Sequence, residues 1–278
     1  MIEITPELIE RLEKGSAKEL VVDNTTKIER DTNEAFDERF YKHPTKINPQ
    51  TGNNYFPAFH FITSMGAPES PGLSNWKKDK GHHSEYLLER SAEIGSYVHD
   101  CIDMMIKTNI DIEHESIHKA FPNPKEAQKI KESLLGFLNF MSDQEPEMVA
   151  SEHMECGDDF GFTCDLAARI KEDGYKNLWI LDWKTSKVAN DDHKMQIEAM
   201  RRTLEAQRGG VVVLGNSTKK KYTFTPIKPS EHDYFWNRFV AIKETAYVEL
   251  LRRGTIKPRV NNMPPSFSLK DINLKRLF

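Results

Sequence analysis

Cysteine is scarce: Cys101, Cys156 and Cys164 are the only three in 278 residues, and no two of them form a C-x-x-C pair. That excludes a disulfide framework and a zinc ribbon, and buried free thiols are expected instead. Long apolar runs are missing as well. No stretch approaches the roughly 20 residues a membrane span requires, and the opening MIEITPELIERLEKG is acidic and amphipathic, without a signal peptide's apolar block. A cytosolic location with no membrane partner is therefore expected. Internal repeats and low-complexity tracts are absent too. Basic charge is in slight deficit, with 39 Lys and Arg against 43 Asp and Glu, and a net charge of -4 taken alone argues against a polyanionic partner.

What is present is an ordinary globular composition, with 38% hydrophobic residues, fifteen Phe and four Trp, enough to bury a substantial core. The charge is unevenly divided. Residues 184–278 hold 19 Lys and Arg against 9 Asp and Glu, so residues 1–183 hold 20 against 34. Such asymmetry points to a polyanion-binding face in the second part of the chain, the alternative being a solvated basic helix surface.

Residues 1–55 read as a helical arm followed by a polar linker, YKHPTKINPQTGNNY, rich in Pro, Asn and Gly. The remainder, 56–278, reads as one domain. In its first part, 56–145, FPAFHFITSM is a short apolar stretch and GAPESPGLSNW is loop-like. SEYLLERSAEIGSYVHDCIDMMI then has apolar residues at helical spacing, and a second helix follows FPNP. Short β-type runs begin at Pro146: MVASEHMEC, GFTCDLAARIK and NLWILDWK. A helix over DDHKMQIEAMRRTLEAQ comes next, with Gly209 and Gly210 as its stop signal, then strands VVVLG and KYTFTPI joined by the turn NSTKK. The sheet core thus spans 146–227, and 228–278 supplies a long amphipathic helix and an irregular tail. This order predicts an α/β fold with a central mixed sheet of about five strands, helices on both sides and a helical N-terminal region.

The chemistry concentrates in ILDWKTSK. Side chains two apart on a strand share a face, so Asp182 and Lys184 point one way and Trp183 the other. Asp165 lies on the preceding strand, and strands about 4.8 Å apart would bring the two carboxylates together in a suitable register. Two carboxylates and an ammonium on one buried face conflict unless a divalent cation joins them, and Mg²⁺ accepts such oxygen ligands together with water and substrate phosphate.

GFTCD followed by LDWKTS resembles the core of the PD-(D/E)XK nucleases in their RecB-like branch, with an acidic residue on one strand and D-x-K-T/S on the next. AEIGSYVHD is similar to that branch's GxxxH helix, MQIEAM to its glutamine-headed helix motif, and FITSM with GLSNW to the signature of its phage-type exonucleases, which the mitochondrial genome-maintenance exonuclease shares. The resemblance spans roughly Phe56 to Ile227, four motifs in the correct order. It implies a restriction-endonuclease-like core and metal-dependent hydrolysis of DNA by an exonuclease of phage or prophage recombination, repair or processing. The partners it implies are single- or double-stranded DNA and, beside it, a strand-annealing protein or further copies of the chain.

In that reading His99, Asp165, Asp182 and the Trp183 carbonyl hold one or two Mg²⁺ or Mn²⁺ ions, with Glu152 as an outer ligand. Imidazole suits Mn²⁺ better than Mg²⁺. Lys184 meets the scissile phosphate and Gln196 braces the site, while Lys187, Arg201 and Arg202 are the expected phosphate track. Two departures stand out. Met200 occupies the position where the family's helix motif carries tyrosine, and no cysteine follows Cys164, so the iron-sulfur cluster of some relatives is not expected. The bland alternatives are an edge-strand salt bridge for Asp182 and Lys184, a solvated turn carboxylate for Asp165, a core histidine for His99, a surface glutamate for Glu152 and a charged hairpin turn for STKKK. A restriction-type endonuclease, and a nuclease fold that binds DNA or protein without cutting, are the competing functions.

Overall fold

The computed structural model describes residues 27–33 and 38–259. Five strands, β4 (Glu147–Cys156), β5 (Gly161–Arg169), β6 (Trp179–Lys184), β7 (Arg208–Leu214) and β8 (Tyr222–Pro226), form the central sheet in sequence order. Neighbours pair antiparallel except β6 and β7, which are parallel because α6 (Asp191–Thr203) crosses over between them. Ahead of the sheet come α1 (Phe59–Gly66), α2 (Pro71–Lys80), α3 (His83–Thr108), α4 (His114–Ala120) and α5 (Pro124–Gln144), and α7 (His232–Arg253) follows it. The expected mixed sheet flanked by helices is therefore the observed architecture. No helix among the described residues is long and apolar enough to cross a membrane.

The central strand shows how the core positions the site. Residues Trp179 to Trp183 of β6 are all buried, as a strand covered on both faces must be. Ile180 packs with Met195 and Ile197 of α6 and with Phe235 of α7, whereas Leu181 and Trp183 pack with Val98 and Ile102 of α3 and Phe137 and Phe140 of α5. Trp183 meets Phe137 and Phe140 edge-on, with ring centroids 5.4 and 5.5 Å apart. Burial of such a side chain contributes roughly 1.5–3 kcal/mol, which anchors the C-terminal end of β6 between the helical layers. All three cysteines are buried free thiols, as expected.

Three local expectations are corrected. The helices expected in the N-terminal arm lie largely outside the described residues. The described residues there include a second antiparallel sheet, β1 (Glu29–Asn33), β2 (Glu38–Lys42) and β3 (Tyr55–Pro57), so the expected linker is the irregular connection between β2 and β3. Phe40, Tyr41 and Phe56 of this sheet bury against Phe61, Cys156 and Tyr247. The Asn-rich segment is pinned as well, because Asn48 Nδ2 donates to Tyr247 Oη at 2.9 Å.

GLSNW is helical: Ser70 accepts from the Leu73 N–H at 3.2 Å and Pro71 opens α2, so a cap-and-proline start had the composition of a loop. Gly209 and Gly210 do not stop the helix but lie inside β7. A Cβ on Gly209 would stand 2.3 Å from Ile197 Cγ2, so this glycine lets α6 lie directly on the strand. The turn at Lys219 to Lys221 is a charged hairpin tied to α5, with Lys220 2.7 Å from Asp143 and Lys221 3.2 Å from Glu132.

Candidate metal centre

The site forms where the β5–β6 ladder ends. Its last rung pairs Leu166 with Leu181, so the same register sets Asp165 opposite Asp182 one rung further on, beyond the paired residues. There the Trp183 N–H donates not to a backbone carbonyl but to Asp165 Oδ2, at 2.8 Å. One carboxylate oxygen thus closes the sheet and the strands can part around it. On the β4 side, Ser151 pairs with Leu166 and His153 with Cys164, which sets Glu152 across from Asp165.

His99 reaches the strand ends from α3. Its Nε2 donates to the Trp183 carbonyl at 2.9 Å, and its Nδ1 lies 3.4 Å from Asp165 Oδ2. His99, Glu152 and Asp165 each offer a ligand atom, all within 4.8 Å of one another. A histidine nitrogen and two carboxylate oxygens so close together suit a divalent cation, Mn²⁺ as well as Mg²⁺.

Two orphaned atoms support that fit. Asp182 Oδ2 and Gln196 Oε1 are buried without a hydrogen-bond partner. Lys184 Nζ lies 2.5 Å from Asp182 Oδ2, so the ammonium is that oxygen's one close polar neighbour among the described residues and leaves it room for a further ligand. Buried polar atoms in that condition are costly unless a ligand or water completes them.

The electrostatics tell the same story. Burial, then the charge of Asp165, pushes the Glu152 carboxyl up to about 7. Burial also raises Asp182 despite the Lys184 ammonium beside it. Burial opposes charge on His99, but Asp165 prevails and raises the imidazole to about 9. Burial likewise works against the Asp165 carboxylate, and His99, Lys184 and the Trp183 N–H together hold it below its usual range. Without a cation the site therefore stores protons. A carboxyl whose pKa is raised by folding makes stability fall as pH rises from its ordinary range, near 4.5 for Glu152, to its folded value near 7. Cation binding displaces those protons, so affinity must climb over the same interval. The rise in melting temperature caused by Mn²⁺, relative to EDTA, is expected to be small at pH 5.5 and clearly larger at pH 8. Equal shifts at both pH values would contradict this electrostatic picture.

Glu152 is also conformationally singular. Of the six non-glycine residues with positive φ among the described residues, it alone lies inside a strand, at φ 48°. That region costs a side chain about 1–3 kcal/mol and persists only where the surroundings impose it. Backbone strain of this kind clusters at functional sites.

The expected residues separate into two groups. His99, Glu152, Asp165, Asp182, the Trp183 backbone and Lys184 converge at the end of β6. Gln196 lies on the buried face of α6, and Lys187 is exposed three residues beyond Lys184. Arg201 and Arg202 are not brought to this cluster. Arg201 makes two 2.8 Å hydrogen bonds to the fully buried Glu198, Arg202 adds one at 2.7 Å, and His232 Nδ1 lies 2.5 Å from the same carboxylate. Arg201 is thereby tied to Glu198, whereas Arg202 is partly exposed and also reaches Asp233 at the surface. Met200 is fully buried in the core, so the missing tyrosine leaves a packing residue in its place.

Two histidines escaped the sequence reading. Burial by neighbouring atoms, then the charges of Lys184 and Arg39, lower the pKa of His60 of α1. His193 of α6 is lowered to about 4 by burial and Lys184. In both the shift favours the neutral ring. His193 lies one helical turn before Gln196, which was a legible signal. His60 interrupts an apolar run and gave none.

No protein-family model and no curated protein matches the chain. A solved structure titled "Crystal structure of SSO0001" is similar over 60% of this chain and 89% of that one, at 12% identity and a TM-score of 0.26, a likeness too slight to bear on fold or function. The topology itself is a three-stranded meander followed by a parallel crossover, with acidic residues where the paired strands end.

Proposed function

We propose that the protein is a metal-dependent deoxyribonuclease of the PD-(D/E)XK superfamily, in its RecB-like branch, acting as an exonuclease. The observation that carries this reading is the convergence of His99, Glu152 and Asp165 beside the buried Asp182–Lys184 pair at parted strand ends. His99, Glu152 and Asp165 would hold Mg²⁺ or Mn²⁺, with Asp182 completing the charge. When bound, such an ion polarises a phosphoryl oxygen and makes a water acidic enough to supply hydroxide near neutral pH.

The chain's own residues do the rest. Asp165 fixes the Trp183 peptide through its N–H, and His99 fixes the carbonyl of the same residue, so the backbone leading to Lys184 is held at both polar groups. Lys184, 17% exposed at its side chain, presents its ammonium to the phosphoryl oxygens as charge accumulates there. Gln196 Oε1, buried and without a partner among the described residues, would accept a hydrogen bond from water or substrate. Lys187 offers an exposed cation to the nucleic-acid backbone, a contact that positions a strand without reading its sequence. A role in phage or prophage recombination, beside a strand-annealing protein, is the biological setting this reading favours.

The test is digestion of end-labelled linear and closed circular DNA with Mn²⁺, Mg²⁺ or EDTA. Loss of linear DNA that requires metal and spares the circle is expected, and cutting of the circle would replace the exonuclease with an endonuclease. DNA binding with no cleavage in either metal would leave a binding module.

A further inference from the structure

The left-handed backbone at Glu152 has a visible support that lies outside the ligand set. Ser151, the preceding residue, donates its Oγ–H to Asp103 Oδ1 at 3.2 Å. Asp103 is on α3, four residues and so about one helical turn beyond His99. Lys107, a further turn along, lies 2.9 Å from the same Asp103 oxygen and balances its charge. The helix that delivers His99 directly is therefore also tied to the strand residue next to Glu152. Among the described residues β4 is an edge strand of the central sheet, paired only with β5, so the sheet itself does not constrain its outer side.

We infer that Asp103 is a positioning residue for the metal centre: through Ser151 it clamps the β4 kink to α3 and so fixes the distance between Glu152 and His99. The inference rests on the metal reading of the His99, Glu152 and Asp165 cluster. Its chemistry is that of an outer partner which orients a ligand, the kind of contact whose loss typically weakens metal affinity 10- to 100-fold. A purely structural tie would instead change melting temperature and leave affinity alone.

Mn²⁺ binding to the full chain, read from the electron paramagnetic resonance signal of the free ion, separates these cases well below the melting temperature. Ser151→Ala changes no charge and Asp103→Ala removes the acceptor. Each is expected to raise the Mn²⁺ dissociation constant by about 10-fold or more. The double variant should be no weaker than Asp103→Ala, because both substitutions cut one hydrogen bond. Asp103→Asn keeps an acceptor oxygen for Ser151 and should bind within about threefold of wild type, a rescue that a bare charge effect would not give. Glu152→Gln serves as the ligand control and should lose binding. Wild-type affinity in both Ser151→Ala and Asp103→Ala would overturn this inference and leave the metal reading standing. No Mn²⁺ binding by the wild-type chain would overturn both.

Discussion

Lys184→Ala is expected to lose about 10²- to 10³-fold in the rate of DNA hydrolysis, the cost of removing one preorganised donor from developing phosphoryl charge. The effect should fall on kcat, since an ammonium that meets charge formed in the transition state contributes less to binding the ground state. Its surroundings explain the size. The side chain is largely buried and lies 2.5 Å from the almost fully buried Asp182, so it is held in place before substrate arrives. Lys184→Arg should remain well below wild type, because a planar guanidinium cannot occupy the point position of an ammonium. The fold should survive, since burial already raises the Asp182 carboxyl and removal of its counter-charge raises it further, so that it can take up a proton. Single-turnover digestion, with a thermal melt beside it, measures both. Activity of Lys184→Ala within threefold of wild type would remove Lys184 from the chemistry and with it the core of the nuclease reading.

The site was legible in the sequence wherever function and strand periodicity coincide. Asp182 and Lys184, two apart on a strand of bulky residues, had to share a face, and the register that sets Asp182 opposite Asp165 follows once the turn between their strands is placed. Glu152 was visible only as a glutamate on the next strand. What makes it a ligand candidate is its approach to His99 and Asp165 together with a positive φ, and neither leaves a mark in local composition. Gly209 and Gly210 misled for a related reason. Glycine after a helix usually marks its end, but here it marks close approach of α6 to β7, and only the packed structure separates the two uses. The small N-terminal sheet was hidden by composition: Asn48 and its neighbours look like a linker until the Tyr247 hydroxyl is seen to hold them.

The largest stability effect is expected away from the metal centre, at Glu198. Its carboxylate is fully buried and is engaged by Arg201, Arg202 and His232, joining α6 to the start of α7. Arg202 continues outward to Asp233 at 2.6 Å and lies 5.0 Å from the centre of the Trp236 ring. Burial works against the charged carboxylate, but hydrogen bonds from the two arginines and the histidine hold its pKa below the ordinary value. Glu198→Ala removes the one acceptor these three side chains share and leaves two guanidinium groups facing each other, a loss of about 3–5 kcal/mol by analogy with breaking other buried pairs. Urea unfolding at pH 7 should show it as a lower midpoint with an unchanged slope. Because Glu198 has its pKa lowered by folding, the wild-type advantage is present above the ordinary glutamate range and fades as pH falls through the folded pKa, so the two proteins should converge in acid. Added salt should narrow the gap little, since a buried pair is poorly screened. A loss below about 1 kcal/mol would place the cluster among weak surface pairs and would leave Arg201 and Arg202 in the pool of cations available for DNA.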